Sequence, residues 1–261
     1  MKQFLLPRRY SGETRMTLSG GDFRYLARVL RKKEGDAIPA VDAHGSRYTM
    51  RIVQIGKAQC AVELAPEAAS FSPAPQAVSS RPGPSFSITL LQCLPKGRKI
   101  DLIVRQATEA GVARIVPLLS EHTVVRPGEG DARVARLRRI AREALQQCGG
   151  ARLPEIGEPR SLASIAEKGE DWGLALFFHE QPLGGLPLHR LLAGRPAKVS
   201  IVIGPEGGLS GTEVGLLTTA GFLPVHLGAS VLRVETAATY ALGAVTMILQ
   251  ERDAWKPVRV E

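Results

Sequence analysis

Three short segments hold residue types suited to gripping a small ligand. Ile203-Gly204-Pro205-Glu206-Gly207-Gly208-Leu209-Ser210 is glycine-rich and follows a continuous apolar run from Val199 to Ile203. Glycines at such a place let the backbone approach a ligand closely and expose its N–H groups. The spacing is neither the Gly-x-Gly-x-x-Gly of dinucleotide folds nor the Gly-Lys-Ser/Thr of a P-loop. A second segment, Leu227-Gly228-Ala229-Ser230-Val231-Leu232-Arg233-Val234-Glu235-Thr236-Ala237, again joins an apolar run to a helical one. The third, Phe177-Phe178-His179-Glu180, ends an apolar run in the same way; taken alone, His179 reads as a surface histidine. The first two of these loops would line one shared cleft whose charges are Glu206, Arg233 and Glu235. No nucleophile triad and no metal-ligand spacing accompanies them. The hard chemistry therefore falls to a cofactor that the protein orients.

The elements that must carry these loops alternate. Ile88 to Leu94 reads as an apolar strand, Asp101 to Ala110 as an amphipathic helix closed by Gly111, and Ile115 to Leu119 as the next strand. Asp131 to Cys148 is a long helix, its apolar face Val134, Leu137, Ala141, Ala144, Leu145 and Cys148 at three- and four-residue steps. Leu174 to Phe178 and Val199 to Ile203 have the unbroken apolar character of strands buried on both faces. Ser210-Gly211-Thr212-Glu213 is a capping box opening a helix that Gly221 stops. Leu223 to Leu227 is a last strand, and Thr236 to Gln250 a long apolar helix. Alternation of this kind means an α/β domain with a mostly parallel sheet, where ligands bind at the carboxyl ends of strands.

The charge lies elsewhere. The chain has 261 residues, 44% hydrophobic and 23% charged, and 34 Lys and Arg against 25 Asp and Glu give a net +9. That composition supports a packed core and excludes intrinsic disorder. Nine of the basic residues, among them Arg8, Arg28 and Arg31, fall in the first 33 positions against only Glu13 and Asp22. A second basic stretch runs from Arg126 to Arg152. Phosphate contacts from such stretches set non-specific affinity for nucleic acid. Ala37 to Val41, Ser46 to Ile55 and Gln59 to Leu64 read as short strands, and Asp22 to Arg31 as a helix. Five prolines among small residues mark 65–86 as a linker, so the expected division is a binding barrel at 1–64 and an α/β domain at 87–261. No apolar run is long enough to span a membrane, and no signal peptide is evident at the start, so a cytoplasmic location is expected. Cys60, Cys93 and Cys148 fit neither a disulfide framework nor a zinc site and read as small buried thiols.

The motifs resemble one family closely. Gly204-Pro205-Glu206-Gly207-Gly208-Leu209-Ser210, followed by Leu227-Gly228-x-x-Val231-Leu232-Arg233-x-Glu235-Thr236-Ala237, is similar to the RsmE family of ribosomal RNA methyltransferases in the SPOUT superfamily. The likeness continues in Leu94-Pro95-Lys96-Gly97, Ala107-Thr108-Glu109-Ala110-Gly111-Val112, Pro117-Leu118-Leu119-Ser120-Glu121, Gln147-Cys148-Gly149 and Arg28-Val29-Leu30-Arg31, nearly the whole chain in order. It implies an N-terminal PUA-like barrel and a C-terminal SPOUT α/β domain with a deep trefoil knot. It implies a homodimer that uses S-adenosylmethionine, without metal or membrane, to methylate N3 of a uridine in 16S rRNA or the small ribosomal subunit.

Carried over residue by residue, the cofactor would be held by His179 and Glu180, by Ile203, Gly204, Pro205, Gly207 and Gly208, by Leu227, Gly228, Val231 and Leu232, and by Thr236 and Ala237. Arg233 would steady the negative charge developing on uracil, with Glu206 or Glu235 or water taking the proton. Arg8, Arg28, Arg31, Lys96 and Arg98 would contact RNA. Four positions depart from the family pattern: Tyr25 stands for histidine, Gln106 for lysine, and Gly150 and Ser230 for arginine. They leave open a related methyltransferase with a different target atom, or a non-catalytic rRNA-binding assembly factor. A nicotinamide enzyme is the more distant alternative, because its fingerprint is missing.

Overall fold

The structure, a computed structural model, describes residues 3–67, 85–123, 130–167 and 169–254. They fall into two compact units: the N-terminal residues together with Leu145–Arg152, and the remainder.

The first unit runs β1 (Phe4–Leu5), β2 (Arg15–Ser19), α1 (Gly20–Arg24) passing into a π-helical turn at Tyr25–Val29, β3 (Ala37–Val41), β4 (Arg47–Ile55) and β5 (Gln59–Pro66). Its strands form a five-stranded sheet in the order β1-β3-β4-β5-β2 among the described residues, antiparallel except for β1 beside β3. Alternation builds its core, since Met50 and Ile52 of β4 and Cys60, Val62 and Leu64 of β5 turn inward, where Phe4, Leu18, Phe23 and Leu26 meet them. The sequence reading missed β1 and β2. Two residues carry no period, and Arg15-Met16-Thr17-Leu18-Ser19 buries only Leu18. The helical stretch runs from Gly20 to Val29 rather than from Asp22 to Arg31, which itself takes φ +52°. The buried amide of Gln3 donates to the carbonyls of Leu145 and Gly150, fixing Leu145–Arg152 in this unit.

In the second unit the order is β6 (Ser87–Cys93), α2 (Lys99–Glu109), β7 (Arg114–Leu119), α3 (Gly130–Cys148), β8 (Glu155–Ile156), β9 (Arg160–Ser161), α4 (Leu162–Ile165), β10 (Leu174–His179), α5 (Leu188–Leu191), β11 (Lys198–Ile203), α6 (Gly211–Thr219), β12 (Leu223–His226) and α7 (Val234–Ala254). The parallel sheet has the order β12-β10-β11-β6-β7-β8, with β9 also on β7. Apolar side chains of α2, α3 and α7, such as Ile103, Leu137 and Ala241, pack with one face of the sheet. Leu162 and Ile165 of α4 and Leu217 of α6 cover the other. Both faces are thus buried, which explains the unbroken apolar runs of β6, β10 and β11. No helix among the described residues is long and apolar enough to cross a membrane.

One thiol is placed differently from the expectation. Cys60 and Cys93 are buried, but Cys148 is exposed. It sits on the last turn of α3, where its Sγ accepts the N–H of Gly150 instead of joining the core.

Candidate active site

Strands β12, β10 and β11 lie side by side, and their carboxyl ends open into one cavity of about 580 Å³. Phe178, His179 and Glu180 leave β10, Ile203 to Leu209 leave β11, and Leu227, Gly228 and Ser230 to Val234 follow β12. The three loops singled out in the sequence are therefore brought together.

Each loop is shaped by local contacts. The turn after β11 closes when Gly208 N–H donates to the Pro205 carbonyl at 3.0 Å, and Gly208 takes φ +72°. A side chain at Gly208 would also stand 3.2 Å from Glu180 Oε1. Gly207 is needed because His122 packs on it, with Cβ and Cγ 3.1 Å from where a Cβ would lie. His122 Nδ1 in turn donates to the Gly208 carbonyl at 3.1 Å. Ser210 caps α6 in the foreseen box with Glu213. Glu213 does more than cap, since its second carboxylate oxygen accepts the N–H of Glu121 at 3.0 Å while the side chain is 3% exposed.

His179 is not a surface histidine. Its side chain is 8% exposed, and its Nδ1 accepts the N–H of Gln181 at 3.1 Å. Its register partner on β12, His226, donates from Nε2 to the Glu180 carbonyl at 3.1 Å, so the two loops are laced at their base.

The charges also differ from expectation. Lys99, the first residue of α2, enters the cavity and bonds Glu206 Oε1 at 2.7 Å. Both Glu206 oxygens also accept the N–H of Lys96, at 3.2 and 3.1 Å. Burial pushes the Glu206 carboxyl up, but the Lys99 hydrogen bond and the N–H groups of Glu206 and Lys96 outweigh it and hold the carboxyl below its ordinary 4.5. Glu235 lies outside the lining, with Oε2 buried and 4.0 Å from Lys99 Nζ. Thr236 is exposed and also outside the lining. The helical step explains both, because Arg233, Val234 and Ala237 share the cavity side of α7's start and the two residues between them turn away. Arg233 is exposed at the rim, next to Val231, which is 80% exposed.

Of the four departures, Gly150 has a local reason: a Cβ there would stand 2.8 Å from Leu145 Cδ1. Gln106 accepts the Thr239 hydroxyl at 2.9 Å, Tyr25 packs on the first unit's core, and Ser230 lines the cavity. Arg8, Arg28, Arg31, Lys96 and Arg98 are all solvent-facing. Sequence reasoning missed Lys99, which enters the cavity, and His122, which packs on the Gly207–Gly208 turn beside it. Among the described residues, no cluster of His, Cys, Asp or Glu is arranged to hold a metal ion.

A parallel sheet with glycine-rich strand ends around one cavity, in a chain that also carries a small basic sheet module, defines a two-unit α/β protein with a small-ligand site at its strand ends. A family described as an RNA methyltransferase domain matches residues 81–246, and an RNA methyltransferase PUA domain matches residues 18–65. Ribosomal RNA small subunit methyltransferase E of Synechocystis is 32% identical over 245 residues, spanning 91% of this chain and 75% of the relative. Its namesake in Bacillus subtilis is 28% identical over 240 residues, covering 88% and 89% of the two chains. A crystal structure of ribosomal RNA small subunit methyltransferase E from Neisseria gonorrhoeae bound to S-adenosyl methionine superposes with a TM-score of 0.80, at 26% identity over 95% of this chain and 98% of that one. The chain belongs to the ribosomal RNA small subunit methyltransferase E family.

Proposed function

We propose that this chain transfers a methyl group from S-adenosylmethionine to N3 of a uridine in 16S ribosomal RNA. The observation that carries the reading is the convergence of three strand-end loops on one cavity of about 580 Å³, a volume within the range of cofactor sites. The lining fits that cofactor. Main chain at Gly204, Gly207 and Gly228 offers donors and acceptors to an adenine edge, and Ile203, Leu209, Leu227 and Leu232 offer apolar walls to its ring. Glu180 supplies a carboxylate for the cationic end, and Pro205, Gly208, Val231, His179 and Ala237 complete the surround. The relative solved with S-adenosyl methionine supports the same occupant here.

The bound cofactor supplies an electrophilic methyl group, and the protein's part is positioning. Uracil N3–H lies on the Watson–Crick edge, so the base must be unpaired to reach the cavity. Arg233, exposed at the rim, stabilises the negative charge that develops on the uracil imide. Neither glutamate is the proton acceptor in this reading. The Glu206 oxygens are committed to Lys99 and the Lys96 N–H, which makes the carboxylate a weaker base, and Glu235 lies outside the lining, so water takes the proton. Arg8, Arg28 and Arg31 of the PUA module, with Lys96 and Arg98 near the cavity, contact rRNA phosphates. The reading includes a trefoil knot at the carboxyl end and a homodimer, whose mass light scattering would report.

Incubation with labelled S-adenosylmethionine and 16S rRNA or small subunits, then nuclease digestion and mass spectrometry, tests it. N3-methyluridine is the expected product. Methyl on a ribose 2′-hydroxyl would reassign the target atom, and no calorimetric binding at millimolar cofactor would favour a non-catalytic rRNA-binding role.

A further inference from the structure

We infer that Lys99 is a positioning residue for methyl transfer, joining the glycine-rich turn after β11 to the start of α7 through Glu206 and Glu235. The inference rests on the cofactor reading above, and three observations support it.

The first is placement. Lys99 opens α2, far in sequence from both loops, yet its ammonium bonds Glu206 at 2.7 Å and stands 4.0 Å from Glu235 Oε2. One side chain thus meets an acidic residue of the lining, Glu206, and one just outside it, Glu235.

The second is electrostatic. A cation at the first residue of a helix opposes the helix dipole, which favours anions there. Lys99 is tolerated at that place because two carboxylates converge on it. Its removal would leave Glu206 with only backbone N–H partners, and Glu235 Oε2, buried and without a hydrogen bond, with no cation beside it.

The third is mechanical. Glu206 sits in the middle of the Pro205–Gly208 turn and its carboxylate also holds the Lys96 N–H. Fixing that carboxylate fixes the turn whose main chain would grip the cofactor. Lys99 itself need not touch the reacting atoms.

Hydrogen exchange and calorimetry on the full chain test the assignment, with Lys99→Met, Lys99→Arg and the double variant Lys99→Met/Glu206→Gln. In Lys99→Met, without cofactor, amides of 204–209 should exchange at least about fivefold faster while those of β6 and β11 keep their protection. The Kd for S-adenosylmethionine should rise about tenfold or more, with kcat at saturating cofactor changed less than about threefold. Lys99→Arg should restore both readouts to within about threefold. The double variant should bind better than Lys99→Met, because the uncompensated carboxylate is gone. Unchanged exchange at 204–209 in Lys99→Met would overturn the positioning role, as would Lys99→Arg behaving like Lys99→Met. Faster exchange in a protein whose wild type binds no S-adenosylmethionine would overturn the methyl-transfer reading itself, and with it any role of Lys99 in that reaction.

Discussion

The carboxylate of Glu213 accepts the backbone N–H of Glu121 at 3.0 Å, tying the loop after β7 to the first turn of α6. Its other oxygen accepts the N–H of Ser210 at 2.9 Å. One buried side chain therefore sets where α6 starts and where His122 sits over Gly207. In Glu213→Ala both N–H groups lose their partner. Both N–H groups are only part-buried, so water takes up some of what the carboxylate gave, and a loss of about 1–2 kcal/mol is expected in urea unfolding. Glu213→Gln keeps one acceptor and should lose less. Equal stability of the alanine variant and wild type would show that water replaces the carboxylate.

Gly208 makes a separate demand on the same turn. At φ +72° an L side chain is strained, by about 1–2 kcal/mol. A Cβ there also meets Glu180 Oε1 at 3.2 Å. Gly208→Ala should lower the melting temperature slightly while weakening S-adenosylmethionine binding about tenfold, because the turn and Glu180 must separate. Full affinity in calorimetry would mean that neither contact shapes the site.

The sequence made the second unit legible because its signals are local. The Asp131 to Cys148 periodicity and the Ser210 box each announce an element without reference to the rest of the chain, and both are present within a residue of where they were read. Strands β1, β8 and β9 are two residues long and exist only through pairing with β3 and β7, so no periodicity could reveal them. The cavity loops were legible for a different reason: glycine in them answers to backbone geometry, as at Gly208. Lys99 and His122 were not, because a lysine at a helix start and a histidine after a strand have ordinary surface readings. Only the folded sheet brings them to Glu206 and Gly207.

Acid should loosen the second unit at a cluster away from the cavity. Glu170 receives Arg114 at 2.5 Å and Arg160 at 2.7 Å, and both guanidinium groups lie over the Trp172 ring. Burial raises the Glu170 carboxyl, but hydrogen bonds from the two arginines prevail and hold it below its ordinary 4.5. A carboxyl depressed in the folded state adds stability at pH values above its unfolded pKa, and that stability disappears as pH falls through the folded pKa. The urea midpoint should therefore drop from about pH 5 downward, and Glu170→Gln should reduce that slope while lowering stability at pH 7. A parallel pH profile in the variant would place the acid sensitivity in other carboxylates.

RNA binding should separate cleanly from cofactor binding. Replacing Arg8, Arg28 and Arg31 with glutamine leaves the cavity loops untouched. For every phosphate that an arginine no longer neutralises, the slope of log affinity against log salt should shrink by about 0.7–0.9. Fluorescence anisotropy with a 16S rRNA fragment between about 50 and 200 mM salt measures it. An unchanged slope would remove these arginines from the RNA surface, whereas a changed cofactor Kd would point to misfolding.

Arg233 carries the most direct chemical prediction. Its backbone belongs to the cavity's rim, its carbonyl accepts the N–H of Ala237 at 2.8 Å, and its side chain is exposed with no ion pair among the described residues. Main-chain anchoring with an uncommitted guanidinium suits a group that meets charge only as it forms on the substrate. Arg233→Ala should lower kcat by about 10²–10³ while leaving S-adenosylmethionine affinity within about threefold. Arg233→Lys, which keeps the charge but not the flat fork, should recover part of the loss. The effect should also shrink as pH rises, because hydroxide removes the N3 proton and leaves the anion less dependent on a neighbouring cation. A loss of tenfold or less in the alanine variant, at unchanged cofactor Kd, would take Arg233 out of transition-state stabilisation and leave main-chain donors of the turn as the source of that charge balance.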